Sequence, residues 1–482
     1  MKRALFGIID YRVLSVLFIG SILLFFMSGC DKEVVEPAPT IELHNGYSIQ
    51  LTSLSGNAKW GSDDPSVATV SSTGLVTATK AGKAMIYTYS SNDQQEVVCY
   101  LEVHPKRNIL FYIGAGTSGI DGDAPDKINQ IRDGWQPGKG EMLIYIDRVA
   151  QGAFLLRVNE TKDAQERYGL DTLQVYGVEN SADSEVMRRE INKMVSGYPA
   201  VSYGMIFFSH GSGWLPEGTL NHPRSLVIDD NTGGGGNKEM EYYDIAAAIP
   251  DKQFDFIVFE ACFMADVMVM YELRNKAEYV LASSAEILAP GFGGVNNNNG
   301  GKLTTETYKK EIMRLYDTKN KINSVVSDFA QSYFDEISIY NEADFRNSAT
   351  LSLIKMDEME KLASVTKSSL QGTSIDESEL TIGSIQRFDR PGELIASGRK
   401  SSRYYDLAHV MENLVQGTRY MAFNNQLEKT VVWKVSSKKF LLNHYGFNIE
   451  HHCGLTTYIE QDAFQFLNSE YKKSSWYKAV YD

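Results

Sequence analysis

The sequence predicts an α/β protein with a doubly covered, mostly parallel sheet, preceded by a small all-β unit. Three observations carry this expectation. Two short apolar runs, 205–208 and 256–259, lead into reactive side chains at His210 and Cys262. From Asn108 onward, strand-like runs alternate with helical stretches, the pattern of a parallel sheet covered on both faces. Residues 41–104 instead show only short strand-like runs separated by turn signals.

With 482 residues the chain is longer than one ordinary domain, and 43% hydrophobic residues suffice for a full core. The formal net charge of −14 argues against a nucleic-acid partner and is compatible with cationic peptides. Residues 1–29 are expected to be a targeting signal outside the fold. Lys2 and Arg3 precede an apolar run at 13–27, which is shorter than the ~20 residues of a spanning helix. The run ends in Met27-Ser28-Gly29-Cys30, which resembles a bacterial lipobox. That resemblance implies cleavage before Cys30, lipid on its thiol, and an exported lipoprotein anchored to a membrane of the bacterial cell envelope. The alternative is a plain secretory signal. Residues 30–40, with two prolines and several acids, read as a tether.

In the β unit, strands are expected at 47–51, 68–70, 75–78, 85–89 and 97–103, with Gly56-Asn57, Ser72-Thr73-Gly74 and Ala81-Gly82 among the breaks. The string Trp60-Gly61-Ser62-Asp63-Asp64-Pro65-Ser66-Val67-Ala68-Thr69-Val70, followed by Thr73-Gly74-Leu75-Val76, resembles the bacterial immunoglobulin-like group 2 domain. The resemblance implies a small sandwich serving as a spacer or adhesive module.

Residues 106–482 are expected to form the second domain. Apolar runs at 109–113, 142–146, 173–176, 279–282, 352–355 and 455–458 join the two already described, with helical stretches at 184–195, 357–365 and 404–414. Ligands bind at the carboxyl ends of strands in such sheets, so His210 and Cys262 are expected at one rim. Either residue alone would read as structural; together they can form a thiolate–imidazole nucleophile. A helix-compatible run at 263–274 would place the Cys262 thiol over a helix N-terminus and lower its pKa. Gly211, lacking a side chain, would let its N–H approach an oxyanion. Ser212 lies between glycines, but no nucleophile-elbow motif surrounds it, so a serine hydrolase is the poorer reading. Cys99 and Cys453 are far apart, and four cysteines do not make a disulfide scaffold.

The blocks Ser209-His210-Gly211-Ser212-Gly213-Trp214, Glu260-Ala261-Cys262-Phe263-Met264, Tyr271-Glu272-Leu273-Arg274, Ala282-Ser283-Ser284-Ala285-Glu286 and Cys453-Gly454-Leu455-Thr456-Thr457-Tyr458 together resemble the clostripain family of cysteine peptidases. The resemblance implies a caspase-like three-layer α/β/α sandwich. It also implies an endopeptidase with His210 as general base, Cys262 as nucleophile, and Gly211 with the Cys262 amide as oxyanion site. Cleavage after arginine or lysine is implied, in peptide or protein substrates. A basic side chain needs an acid, and Glu260, two residues before Cys262, is expected on the same side of its strand; Asp266 and Glu286 are the weaker candidates. Family members carry aspartate at the Glu260 position, which leaves the basic preference open. The resemblance further implies self-cleavage between His210 and Cys262, with Arg224 and Lys238 as processing candidates. No cofactor and no metal are expected; Glu450-His451-His452-Cys453 is read as structural, since adjacent strand residues face opposite ways. A monomer is expected. The rival reading is a surface binding or adhesion lipoprotein whose peptidase-like domain is inactive.

Overall fold

A computed structural model of the chain describes residues 38–52, 58–89, 94–217, 219, 226–229, 238–288, 291–293, 305–390, 402–442 and 446–482. Cys30 and Arg224 lie outside the described residues, as does the side chain of Lys238. Among the described residues, no helix is long and apolar enough to cross a membrane. The described residues divide into two compact units, those up to 107 with 136–140, and those of 108–135 with 141–482.

The smaller unit contains two sheets. One has four strands in the order Thr40–His44, Gln95–His104, Gly82–Tyr89, Lys59–Ser62; the other has three, Ser48–Gln50, Leu75–Ala78, Ala68–Val70. Alternate residues Ala84 and Ile86 on one sheet, and Val76 and Ala78 on the other, enter a common core with Cys99, Leu101 and Val103. This is the small sandwich that the resemblance to the immunoglobulin-like domain implied, with two differences from the strands expected from the turn signals. The strands Thr40–His44 and Lys59–Ser62 were not anticipated, and the first of them pairs parallel to Gln95–His104.

The larger unit is built on nine strands: β1 (Arg107–Ala115), β2 (Met142–Arg148), β3 (Gly152–Lys162), β4 (Tyr168–Gly177), β5 (Ser202–Phe208), β6 (Phe254–Glu260), β7 (Ala277–Ala282), β8 (Thr350–Lys355) and β9 (Val431–Ser436). They lie in the order β4-β3-β2-β1-β5-β6-β7-β8-β9. The β1–β2, β5–β6 and β6–β7 pairs are parallel, while β2–β3, β3–β4, β7–β8 and β8–β9 are antiparallel. The parallel centre is thus extended by antiparallel strands at both edges. The β3–β4 hairpin has no separate counterpart in the sequence reading, which placed one strand at 173–176. The apolar run at 455–458 is not a main-sheet strand: only Thr456–Thr457 is extended, and it pairs with Tyr405–Asp406.

Both sheet faces are covered, as continuous apolar runs require. Met205, Phe207, Ile257 and Phe259 enter one core with helices α2 (Ser184–Gly197), α3 (Tyr242–Ala248), α4 (Val267–Leu273) and α7 (Met359–Leu370). Ile206, Phe208, Phe256 and Val258 enter the other with α1 (Ala124–Asp133), α5 (Thr305–Arg314) and α6 (Ile322–Ile337). The strict alternation between the two cores fixes the register, because a one-residue slip would exchange the faces of an entire strand. Ile257 is fully buried at the middle of this arrangement. Its replacement by alanine is expected to destabilise the protein by about 2–5 kcal/mol, read as a lowered denaturant midpoint with an unchanged slope.

Candidate active site

The β5–β6 register places Phe208 beside Glu260. The two chains therefore leave the sheet together, and His210 and Cys262 follow at the same distance beyond their strands. Gly211 seals the junction. A β-carbon there would lie 2.5 Å from the Cys262 carbonyl oxygen and 2.9 Å from its nitrogen, so the two loops touch through main chain. Only glycine permits that approach. His210 and Cys262 are both partly exposed at this rim. The His210 Nε2 lies over the Ser118–Asp121 turn, within 3.3 Å of where a β-carbon on Gly119 would stand.

The rest of the His-Gly block is structural support. Gly213 has φ +59, and a β-carbon there would come 2.5 Å from the Phe263 carbonyl oxygen. Tyr404 donates its hydroxyl to the Ser212 carbonyl at 2.5 Å and stacks on Phe263 with centroids 4.3 Å apart. Trp214 is buried against Tyr458 and donates Nε1–H to the Arg403 carbonyl at 3.3 Å. Ser212 itself is buried.

The helix expected directly after Cys262 starts later. Residues 261–263 turn, Phe263 takes φ 59, and α4 begins only at Val267. The thiol is therefore not seated on a helix N-terminus. The Ile287 N–H donates to Cys262 Sγ at 3.3 Å, and the thiol lies 3.8 Å from the Ile287 carbonyl oxygen. Sequence reasoning singled out the segment around Ser283–Glu286 but had no signal for this main-chain contact, which depends on how the chain leaves β7.

The three acids expected to receive a basic side chain are all engaged elsewhere. The turn after β6 breaks the strand alternation that was to align Glu260 with Cys262, and Cys262 packs against the core on the other sheet face from Lys127 and Tyr308. The Glu260 side chain is wholly buried and ion-paired with the equally buried Lys127. It also accepts the Tyr308 hydroxyl at 2.5 Å and the Phe292 N–H at 2.9 Å. Burial lowers the Lys127 pKa, against the raising effect of the Glu260 charge. Asp266 caps α4, accepting the Met268 N–H at 2.9 Å, and takes the Thr456 hydroxyl at 2.9 Å. Burial pushes its pKa up to about 8. Glu286 accepts both Nε and Nη2 of Arg390, at 3.1 and 2.8 Å. Lys238 opens the short strand Lys238–Met240, which pairs with Leu226–Asp229.

In the histidine-rich segment, His451 stacks on His409 with centroids 3.7 Å apart. His452 is half-buried, and the enclosure of its ring pushes its pKa down to about 3. The Ala408 N–H donates to the Cys453 Sγ at 3.4 Å.

Because Asp266 has a raised pKa, the folded protein holds a proton there that the unfolded chain releases above 3.8. Stability is therefore expected to fall as pH rises from about 4 to about 8 and then to level off. Asp266→Asn keeps the cap and removes the ionisation. In urea unfolding at pH 5, 7 and 9, the variant should gain on the wild type as pH rises; parallel pH dependence in the two would contradict this role.

Comparison with known proteins gives a consistent picture. The family model described as the clostripain family, peptidase C11, matches residues 111–480, and that of the bacterial Ig-like domain (group 2) matches residues 38–100. Clostripain of Hathewaya histolytica is 30% identical over 147 residues, which is 26% of this chain and 28% of clostripain, so the match spans little more than a quarter of that protein. An inactive zymogen C11 protease from Parabacteroides distasonis is 26% identical with a TM-score of 0.62, covering 79% of this chain and 99% of its own. A secreted C11 cysteine protease from Bacteroides thetaiotaomicron, solved with an irreversible peptide inhibitor, is also 26% identical with a TM-score of 0.62, covering 78% of this chain and 99% of its own. The sheet order, the paired loops at its rim and these matches lead to one conclusion: beyond an immunoglobulin-like N-terminal unit, the chain belongs to the clostripain family.

Proposed function

We propose that this chain is a cysteine endopeptidase in which Cys262 is the nucleophile and His210 the general base and acid. The observation that supports this most directly is the main-chain contact of Gly211 with Cys262, which brings an imidazole-bearing loop onto a thiol-bearing one. The Cys262 sulfur, deprotonated by His210, attacks the carbonyl of the scissile bond. The resulting oxyanion is met by the N–H groups of Gly211 and Cys262, donors worth roughly 3 kcal/mol each when well aimed. His210 then gives its proton to the leaving amine, and water hydrolyses the thioester with His210 again as base. The Ile287 N–H supports the sulfur before substrate arrives, since a hydrogen bond to the charged form favours the thiolate.

Three finer features belong to the same reading. Lipid on Cys30 would hold the enzyme at a bacterial membrane, with the immunoglobulin-like unit as spacer. Self-cleavage at Arg224 or Lys238 would separate the histidine-bearing part from the cysteine-bearing part. Basic selectivity would need an acid, and Glu260, Asp266 and Glu286 already have internal partners. The rival reading of an inactive binding lipoprotein is less well supported, because both reactive residues remain partly exposed at one rim.

A peptide acyloxymethyl ketone should label the wild type at Cys262 and leave Cys262→Ala unlabelled; equal labelling would reject the nucleophile. His210→Ala should lower kcat/KM by about 10²–10⁴-fold, measured on any peptide the wild type cleaves. In a bacterial host, radiolabelled palmitate should enter the wild type and not Cys30→Ser; equal incorporation would reject lipidation at that residue.

A further inference from the structure

The Glu286–Arg390 pair stands one residue from the contact that Cys262 makes with Ile287. Beyond β7, the segment 283–287 runs beside the turn that carries the nucleophile. The Phe263 N–H donates to the Ala285 carbonyl at 2.9 Å, and the Ala265 N–H to the Ser283 carbonyl at 2.9 Å. At Ile287 the contact passes to a side chain. Its N–H donates to the Cys262 sulfur at 3.3 Å, and its carbonyl oxygen lies 3.8 Å from the same atom. Glu286, between Ala285 and Ile287, is the point at which a third segment grips this strap.

Arg390 places two charge-assisted hydrogen bonds on one Glu286 oxygen, from Nε at 3.1 Å and from Nη2 at 2.8 Å. The stretch leading to Arg390 is itself anchored. The Phe388 N–H donates to the Tyr404 carbonyl at 3.0 Å, and Arg387 forms an antiparallel bridge with Tyr405. Asp389 is buried and accepts the Ser402 hydroxyl and, at 3.1 Å, the Arg403 N–H. Tyr404 is also the residue that stacks on Phe263 and holds the Ser212 carbonyl. The guanidinium therefore reaches Glu286 from the same frame that closes over the histidine loop.

We propose that Arg390 is a positioning residue for the nucleophile: through Glu286 it holds the Ile287 N–H on the Cys262 sulfur. Two effects follow from the geometry. A thiolate is favoured by a donor, and the Ile287 N–H supplies one only while its segment stays in place. The Glu286 side chain is 12% exposed, so without Arg390 its charge would stand unneutralised one residue from that donor. Both effects make the thiolate harder to form when Arg390 is lost. Removing the Glu286 charge instead, while leaving an acceptor for Arg390, keeps the donor in place and takes a negative charge away. The two halves of the pair therefore act with opposite sign. The inference rests on the reading of Cys262 as the nucleophile, and its test separates the two.

Iodoacetamide alkylation of Cys262 in the full chain is followed by mass spectrometry from about pH 4 to about pH 10. Labelling by a peptide acyloxymethyl ketone is measured in the same proteins. Arg390→Met keeps the stem and removes the charge, and should raise the alkylation midpoint by about one pH unit. Glu286→Gln still accepts from the guanidinium, and its midpoint should stay at or below that of the wild type. If Arg390→Met does not fold, Glu286→Asp decides. It keeps the charge, withdraws the carboxylate from Arg390, and should also raise the midpoint. Loss of structural support alone would move Arg390→Met and Glu286→Gln upward together, and that result overturns the inference. A folded Arg390→Met with the wild-type midpoint also overturns it. If the expected shifts appear but the wild type takes no ketone, the positioning stands and the peptidase reading falls. If the wild type takes the ketone at Cys262 and the shifts are absent, the inference falls and the peptidase reading stands.

Discussion

The absence of a side chain at Gly211 is the constraint on which the site depends. Two parallel neighbours, β5 and β6, end in register, but register alone brings only strand ends together. The loops beyond them could diverge. They stay in contact because Gly211 lets main chain lie on main chain at Cys262, and Gly213, at φ +59, repeats the approach against Phe263. Tyr404 then closes over the turn from a third segment, stacking on Phe263 and holding the Ser212 carbonyl. The histidine and cysteine loops are thus set by contacts that no larger residue at position 211 would allow.

The charges around this site follow a second rule: its nearby acids are internal. Glu260 is spent on Lys127, Asp266 on the start of α4, and Glu286 on Arg390. A buried pair of the Lys127–Glu260 kind is poor evidence for stability, because desolvating two ions offsets most of their attraction; breaking it by removing one partner still costs about 3–5 kcal/mol.

Much of this was legible in the sequence. Runs such as 205–208 and 256–259 are apolar at every position, which only a doubly covered strand tolerates, and the structure buries them on alternating faces. The turn residues of the N-terminal unit delimited its strands for a similar local reason. What escaped depends on distant partners. Periodicity carried the Glu260 side chain onto the Cys262 side, but a turn at 261–263 ended the strand first. The run after Cys262 has helical spacing, yet Asp266, bonded to Thr456, sets the helix start at Val267. Lys127 gave no signal, because a lysine in an amphipathic helix reads as solvated surface until Glu260 is seen behind it.

The central claim is that the His210 imidazole and the Cys262 sulfur share a proton. The most direct test is the pH dependence of Cys262 alkylation by iodoacetamide, followed by mass spectrometry in the wild type and in His210→Ala. A shared proton predicts a wild-type profile with its midpoint well below the ordinary thiol value of about 8.5, and a variant profile moved up toward that value. Identical profiles in the two proteins would show that the imidazole does not reach the sulfur, and would contradict the account.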